Sequence, residues 1–254
     1  MVNNIIKIKE TGSTNDWLKE RSKNQFLSEG TTVAAEYQTA GKGQQGNRWE
    51  SEAGKNIMCS LLLYPDFLPI HQNFLLSEVV ALGVKDTVEQ YIRPIDIKWP
   101  NDIYYQNRKI AGILIENELT GQIISKSIVG IGLNVNQEQF SDAAPNAVSL
   151  KQILSKNVTG LRKPVTFINI DLLLEKMINA ILFRYNTLKT GNSESITLAY
   201  HNSLYRKSGF YAFSDKNGSF KAQIERVADD GFLHLITEEG EKRSYAFKEL
   251  LFSS

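Results

Sequence analysis

Cysteine is nearly absent from this chain of 254 residues: Cys59 is the only one. No internal disulfide can form, so a disulfide scaffold is excluded and a cytoplasmic setting is expected. Cys59 lies in the apolar run Ile57-Met58-Cys59-Ser60-Leu61-Leu62-Leu63 and reads as a small buried hydrophobe. Histidine is scarce too. His71, His201 and His234 stand far apart without metal-ligand spacing, which argues against zinc chemistry. Neither charge sign dominates, since 29 Lys and Arg face 28 Asp and Glu for a formal charge of +1. Nucleic-acid binders draw much of their affinity from neutralising phosphates, so this balance gives no support for a nucleic-acid partner. No apolar run approaches the ~20 residues that span a bilayer, and Met1-Val2-Asn3-Asn4-Ile5-Ile6-Lys7 has no signal-peptide core. No membrane association is expected. Internal repeats and low-complexity stretches are also lacking.

What is present is an ordinary globular composition, 42% hydrophobic and 22% charged. The length suits one large domain, or a main domain with a small appendage, burying roughly 70–75% of the unfolded surface. Residues 5–9 read as a strand, followed by a helix capped by Ser13 or Thr14 and running to about Asn24. Thr31–Tyr37 and Asn56–Tyr64 read as strands flanking a glycine-rich loop. Apolar residues at Phe74, Leu75, Val79, Leu82 and Val88 predict a helix over Asn73–Ile92. Strands are expected at Ile95–Trp99, Ile103–Gln106, Lys109–Glu116 and Ile123–Val135, with Asn107-Arg108 linking the middle two as a hairpin. Ser141–Val158 reads as irregular or briefly helical. Pro164 precedes a long amphipathic helix, Asn169–Leu188, and a shorter helix covers Glu194–Tyr205. Beyond residue 206, short alternating runs at Gly209–Ser214, Ser219–Val227, Gly231–Ile236 and Arg243–Phe247 are separated by Asn217-Gly218, Asp230-Gly231 and Glu239-Gly240. That is hairpin chemistry, and it predicts a small all-β module packed on the main domain.

Gly41-x-Gly43-x-x-Gly46 matches the dinucleotide-binding pattern, but its context does not. A Rossmann loop opens into a helix whose N-terminus holds the pyrophosphate. Here the loop opens into Asn47-Arg48-Trp49-Glu50-Ser51-Glu52-Ala53-Gly54 and then a strand, so NAD binding is rejected. No Gly-Lys-Ser/Thr follows for a Walker loop either. There remains a flexible inter-strand loop with Lys42 and Arg48, either an anion-binding backbone or a solvated turn. Lys98-Trp99-Pro100-Asn101-Asp102 sets a lysine, an indole and a carboxylate close together, tighter than a structural turn requires. Lys109 opens the apolar strand Ile110-Ala111-Gly112-Ile113-Leu114-Ile115-Glu116, either as a site residue or as a snorkelling surface lysine. Two glycines and two amides share Gly130-Ile131-Gly132-Leu133-Asn134-Val135-Asn136. A ligand's close approach and a β-bulge explain the glycines equally well.

Taken in order from Thr11 through Asn136, these segments resemble the catalytic core of the biotin protein ligases. The matches are Ser13-Thr14-Asn15, Glu36-Tyr37-Gln38, the Gly41–Trp49 loop, Lys98–Asp102, Lys109–Gly112 and Gly130–Asn134. The resemblance implies an α+β fold: a mixed β-sheet catalytic domain with flanking helices, of the class II aminoacyl-tRNA synthetase-like biotin–lipoate ligase type, over residues 1–205. A small C-terminal SH3-like β-barrel would occupy residues 206–254. Many members carry a DNA-binding winged helix before the Ser-Thr-Asn motif. About a dozen residues precede it here, so a monofunctional ligase without repressor activity is expected.

The resemblance further implies a two-step reaction. Biotin's carboxylate attacks the α-phosphate of ATP, and the resulting biotinyl-5′-adenylate passes biotin to a lysine on the biotin carboxyl carrier domain of a carboxylase. Two anions meet in the first step, so fixed cations and N–H donors matter most there. Lys109 is the expected centre, bridging the biotin carboxylate and the α-phosphate, with Asp102 placed to take the proton of the incoming amine. Biotin is expected against Ser13, Thr14, Asn15, Gln38, Gly41, Lys42, Gly43, Gln44, Lys109, Gly112 and Gly130. Gly112 and Gly130 would leave room for its rings and tail. ATP is expected against Lys42, Asn47, Arg48, Trp49, Asn101, Lys109 and Asn134, with Trp49 and Asn134 on the adenine side. ATP implies Mg²⁺, for which no carboxylate stands out. A monomer or homodimer is expected. The loop departs from the commoner family form, which has arginines where this sequence has Lys42, Gln44 and Asn47; lysine keeps the charge but loses the bidentate fork. Lipoate ligases and octanoyltransferases, of related fold, are the nearest rivals, and a degenerate binding module is the next.

Overall fold

The computed structural model describes residues 4–142, 144–156 and 167–253. The chain runs β1 (Ile5–Thr11), α1 (Thr14–Asn24), β2 (Thr32–Gln38), β3 (Ile57–Leu63), α2 (Phe74–Val88), β4 (Asp96–Lys98), β5 (Asp102–Tyr105), β6 (Arg108–Thr120) and β7 (Ile123–Leu133). It continues with α3 (Leu150–Lys156), α4 (Ile170–Lys189), α5 (Ser193–Asn202), β8 (Tyr211–Asp215), β9 (Gly218–Val227), β10 (Leu233–Thr237), β11 (Lys242–Tyr245) and β12 (Leu251–Phe252). Seven strands form one sheet in the order β1-β2-β3-β7-β6-β5-β4, with β1 and β2 parallel and the other pairs antiparallel. The last five form an antiparallel sheet, β11-β10-β9-β8-β12. The fold is therefore α+β with a mixed main sheet, as expected. Among the described residues no helix is long and apolar enough to cross a membrane.

Apolar periodicity places α2 under the sheet, with α4 packed against it. The approach is close because position 83 lacks a side chain: a Cβ on Gly83 would lie 2.6 Å from the Ile181 backbone. The same apolar core takes in Phe213, Ala222, Leu233 and Leu235, so the C-terminal sheet packs on the helices rather than standing apart. Trp99 Nε1 donates to the Gly231 carbonyl (2.9 Å), and the half-buried His201 ring lies within hydrogen-bond reach of both backbone polar groups of Val227.

Several boundaries differ from the sequence reading. Helix α2 stops at Val88, short of Ile92, because Gln90 and Tyr91 bond back to the i−3 carbonyls of Thr87 and Val88 ahead of Pro94. The β5–β6 link is Gln106-Asn107, with Gln106 at φ 55, and Arg108 is already in the strand. The glycine loop makes one 3-10 turn, Gln44–Gly46. Strand β12, two residues long, is too short to show a period. Helix α3 gives the brief helix expected after Ser141; Val158 and Pro164 lie outside the described residues.

Glu78 on α2 is 2% exposed and accepts a hydrogen bond from Thr197 (2.8 Å). Burial pushes its carboxyl from 4.5 up to about 7, partly offset by the Thr197 hydroxyl. The folded state thus holds this proton more tightly than the unfolded chain does, and its contribution is lost as pH rises from the ordinary carboxylate range through about 7. Glu78→Gln should remove that loss. Urea unfolding at pH 5 and pH 8 should show a pH-dependent drop smaller by about 2–3 kcal/mol than the parent's; an equal drop in both proteins would show that another group governs it.

Candidate active site

A trough without side chains crosses the middle of the main sheet. Gly112 on β6 pairs with Gly132 on β7, and Gly130 on β7 pairs with Ser60 on β3. Two side chains from outside the sheet occupy the space. A methyl on Gly132 would collide with the Trp49 indole, and one on Gly130 would collide with Asn15 Oδ1. Gly112 lies under both Trp49 and Lys109. The glycines mark close approach of protein side chains, and no bulge falls at these positions.

A bulge does fall nearby. One step along β5, from Ile103 to Tyr104, spans two on β6, from Ala111 to Lys109, so Ile110 is the extra residue. Ile110 and Ala111 are both fully buried in the core, and Lys109 is returned to the trough side, with its Nζ beside Gly112.

At the α1 end the trough closes on a polar network. Thr14 donates twice to Gln38 Oε1, from its backbone N (2.7 Å) and its hydroxyl (3.1 Å). That oxygen is saturated, so Gln38 has its NH₂ left to offer. Ser60, fully buried, reaches Thr14 Oγ1 (2.8 Å) and Asn15 Oδ1 (2.5 Å). It has one proton for two acceptors, which leaves acceptor capacity unfilled.

At the other end Lys109 Nζ stands 2.6 Å from Asp102 Oδ1 and 5.7 Å from the Trp49 ring centroid. Asp102 Oδ1 is buried and takes no well-aligned hydrogen bond, so the lysine holds it by charge. Lys109 and Trp49 form a wall shared by two cavities. The inner one is lined by Ser13, Thr14, Asn15, Gln38, Gly112 and Gly130, and its free volume is about 50 Å³. The outer one, of about 540 Å³, is lined by Asn47, Arg48, Tyr104, Asn134, Phe140 and Asn146. Its far side is tied to the foot of β6 by Lys109 N to Asn146 O (2.8 Å) and by the Arg108 guanidinium to Ala147 O (2.7 Å).

The structure brings most of the expected residues together. Lys42 and Gly43 reach the inner cavity, and the Lys42 ammonium, 2.5 Å from Asp16, is held above its ordinary pKa by that hydrogen bond. Asn101 lines it while bonding the Ile113 carbonyl (2.7 Å). Asn134 faces the outer cavity with its amide donated to Val148 O (3.2 Å). Two residues stand apart. Gly41 lies behind Gln38, where a side chain would strike the Trp49 carbonyl, and Gln44 faces a separate groove with Asn73, Ser77 and Asn117. The loop itself is a small hairpin, its arms joined by Trp49 N to Gly41 O (3.0 Å) and Gly43 N to Asn47 O (2.7 Å). Of the Lys98–Asp102 motif, Trp99 turns away at 4% exposed, packing edge-on to Phe247. The sequence reading assigned no role to Ser60, Glu116, Gly132 or Tyr104. Cys59 lines the inner cavity, but burial pushes its thiol up to about 12, so it is no nucleophile at neutral pH.

The family model described as the biotin/lipoate A/B protein ligase family matches residues 8–134, which hold the trough and its polar end. The chain belongs to that family. Similar proteins include the bifunctional ligase/repressor BirA of Bacillus subtilis, 32% identical over 227 residues, covering 88% of this chain and 66% of that relative. The biotin–[acetyl-CoA-carboxylase] ligase of Mycobacterium tuberculosis is 34% identical over 147 residues, 56% of this chain and 53% of the relative. The chain thus spans just under two thirds, or about half, of these family members' lengths. Among solved structures, the biotin protein ligase from Aquifex aeolicus in complex with biotin and ATP matches with a TM-score of 0.78 at 27% identity, over 99% of this chain and 100% of that one.

Proposed function

We propose that this protein activates biotin with ATP and transfers it to a lysine of a biotin carboxyl carrier domain. The observation that carries the reading is Lys109 on the wall between two cavities, one of which ends in a network with unfilled acceptors. The fused-ring head of biotin presents one carbonyl and two N–H groups. Gln38 offers the donor that such a carbonyl needs, and Asn15, Thr14 and Ser60 offer acceptors. The dithiolane of lipoate has no hydrogen-bonding group and would leave these buried atoms unpaired, which costs discrimination of the order of 10⁴ in built polar sites. The relatives' names and the biotin and ATP held by the Aquifex structure point the same way.

In this reading the carboxylate tail of biotin runs along the trough to Lys109. ATP fills the outer cavity, its α-phosphate on the other side of the same ammonium. The carboxylate oxygen attacks phosphorus, pyrophosphate leaves, and Lys109 balances charge on both groups. The acceptor amine then attacks the acyl carbon beside Asp102, which takes its proton as AMP departs. Trp49 and Arg48 wall the nucleotide. A cavity that admits benzene has about 150 Å³, so about 50 Å³ is too small for two fused rings. The Lys42–Trp49 loop therefore lifts for entry and closes over the adenylate, excluding water. Among the described residues no group of three or more His, Cys, Asp or Glu could hold a metal, and Asp102 is engaged by Lys109. These side chains do not form a metal cage, and Mg²⁺ would come in on the ATP phosphates as part of the substrate. We read residues 1–205 as the catalytic part and 206–254 as its C-terminal β module, in a cytoplasmic monomer or homodimer.

Pyrophosphate release tests the reading. It should be rapid with biotin and ATP and at background with lipoate and ATP. Release with lipoate, or with neither acid, would overturn it.

A further inference from the structure

We propose that Glu116 is a positioning residue that sets which way the Asn15 carboxamide faces, and through it the preference for a cyclic urea. The inference rests on the biotin reading above. Asn15 is 2% exposed, and its Nδ2 donates to Glu116 Oε2 over 2.7 Å from across the sheet. An ionised carboxylate only accepts, so the atom of Asn15 that meets Glu116 must be the NH₂. Its oxygen is thereby turned to Ser60 and Gly130. Flipping the amide would set oxygen against the Glu116 carboxylate and nitrogen against the Ser60 hydroxyl, losing a charge-assisted hydrogen bond. Glu116 thus fixes an acceptor at the closed end of the trough, where a ring N–H arrives. Glu116 does not line the inner cavity; its hydrogen bond to Asn15 is its link to the closed end of the trough, and its charge also favours the Lys42 ammonium.

Glu116→Ala frees the amide to rotate. Its KM for biotin should rise about tenfold to a hundredfold, the equivalent of one charged hydrogen bond, with kcat and the KM for ATP little changed. Glu116→Gln keeps an acceptor for Nδ2 and should restore most of the loss. A reversed pair gives the decisive measurement. Asn15→Asp places a carboxylate against Glu116 and should weaken biotin binding. Adding Glu116→Gln supplies an NH₂ for the new carboxylate and should recover about tenfold or more. Thermal unfolding of each variant, followed by circular dichroism, checks that the fold is kept. Equal losses in Glu116→Ala and Glu116→Gln, a parallel rise in KM for ATP, or no recovery in the reversed pair would overturn the proposal. If Glu116→Ala fails to fold, the reversed pair alone decides. A parent protein inactive with biotin would instead overturn the functional reading.

Discussion

Lys109→Ala should abolish biotin transfer to a carrier domain, lowering the rate by at least about 10²–10³, the usual effect of removing one preorganised charge from a transition state. Its ammonium stands on the wall common to both cavities, so no other cation in the inner cavity can replace it; Lys42 is held by Asp16. The Lys109–Asp102 pair is partly exposed, at 32% and 22%. A pair this exposed contributes little in itself, but Asp102 Oδ1 is buried and loses the lysine's charge, so some stability is lost and the assay is run well below the variant's own melting temperature. The rate loss is then chemical rather than a failure to fold. Lys109→Arg should restore little, because a planar guanidinium cannot serve two groups from one point as an ammonium does. Single-turnover transfer with a carrier domain reads both variants, and near-parent labelling by Lys109→Ala would remove the residue from the chemistry.

Gly132→Val should expel Trp49 from the trough. Three atoms of the indole already lie where the first added carbon would be, and Gly112 opposite offers no side chain to yield. The outer cavity then loses its shared wall, and the KM for ATP should rise about tenfold to a hundredfold, the value of a lost aromatic stacking partner. Strand propensity favours valine, but forcing the partly buried indole out of its packing loses contacts, so stability should fall modestly. Three tryptophans contribute to indole fluorescence, so the readout is the gain over the parent in the fraction a soluble quencher reaches. Displacement with an unchanged KM for ATP would show that Trp49 does not wall the nucleotide.

Much of the fold was legible because periodicity and turn chemistry are local signals. The Asn217-Gly218 and Glu239-Gly240 turns separated the C-terminal strands, and the α2 and α4 patterns gave their helices. Lys109 stood out by its place at the mouth of an apolar strand, while Thr14, Asn15 and Gln38 were reached only through the family resemblance. What they touch depends on tertiary approach. Glu116 contacts Asn15 across 101 positions of chain, and Ser60 sits in an apolar run that gives no hint of its network. Trp99 and Trp49 looked equally available in sequence; packing sends one to the second sheet and the other over the glycines.

The extra residue Ile110 carries a further consequence. In a plain alternating strand, position 109 faces opposite to 112, so the amine would point at the hydrocarbon core. By absorbing one backbone unit, the bulge keeps that amine at the site and out of the core. The bulge lets an odd number of steps separate two residues on one face: drawing the same sequence into a plain ladder would turn the amine inward, whereas deleting Ile110 would remove the bulge and leave Lys109 two positions from Gly112, still on the trough side.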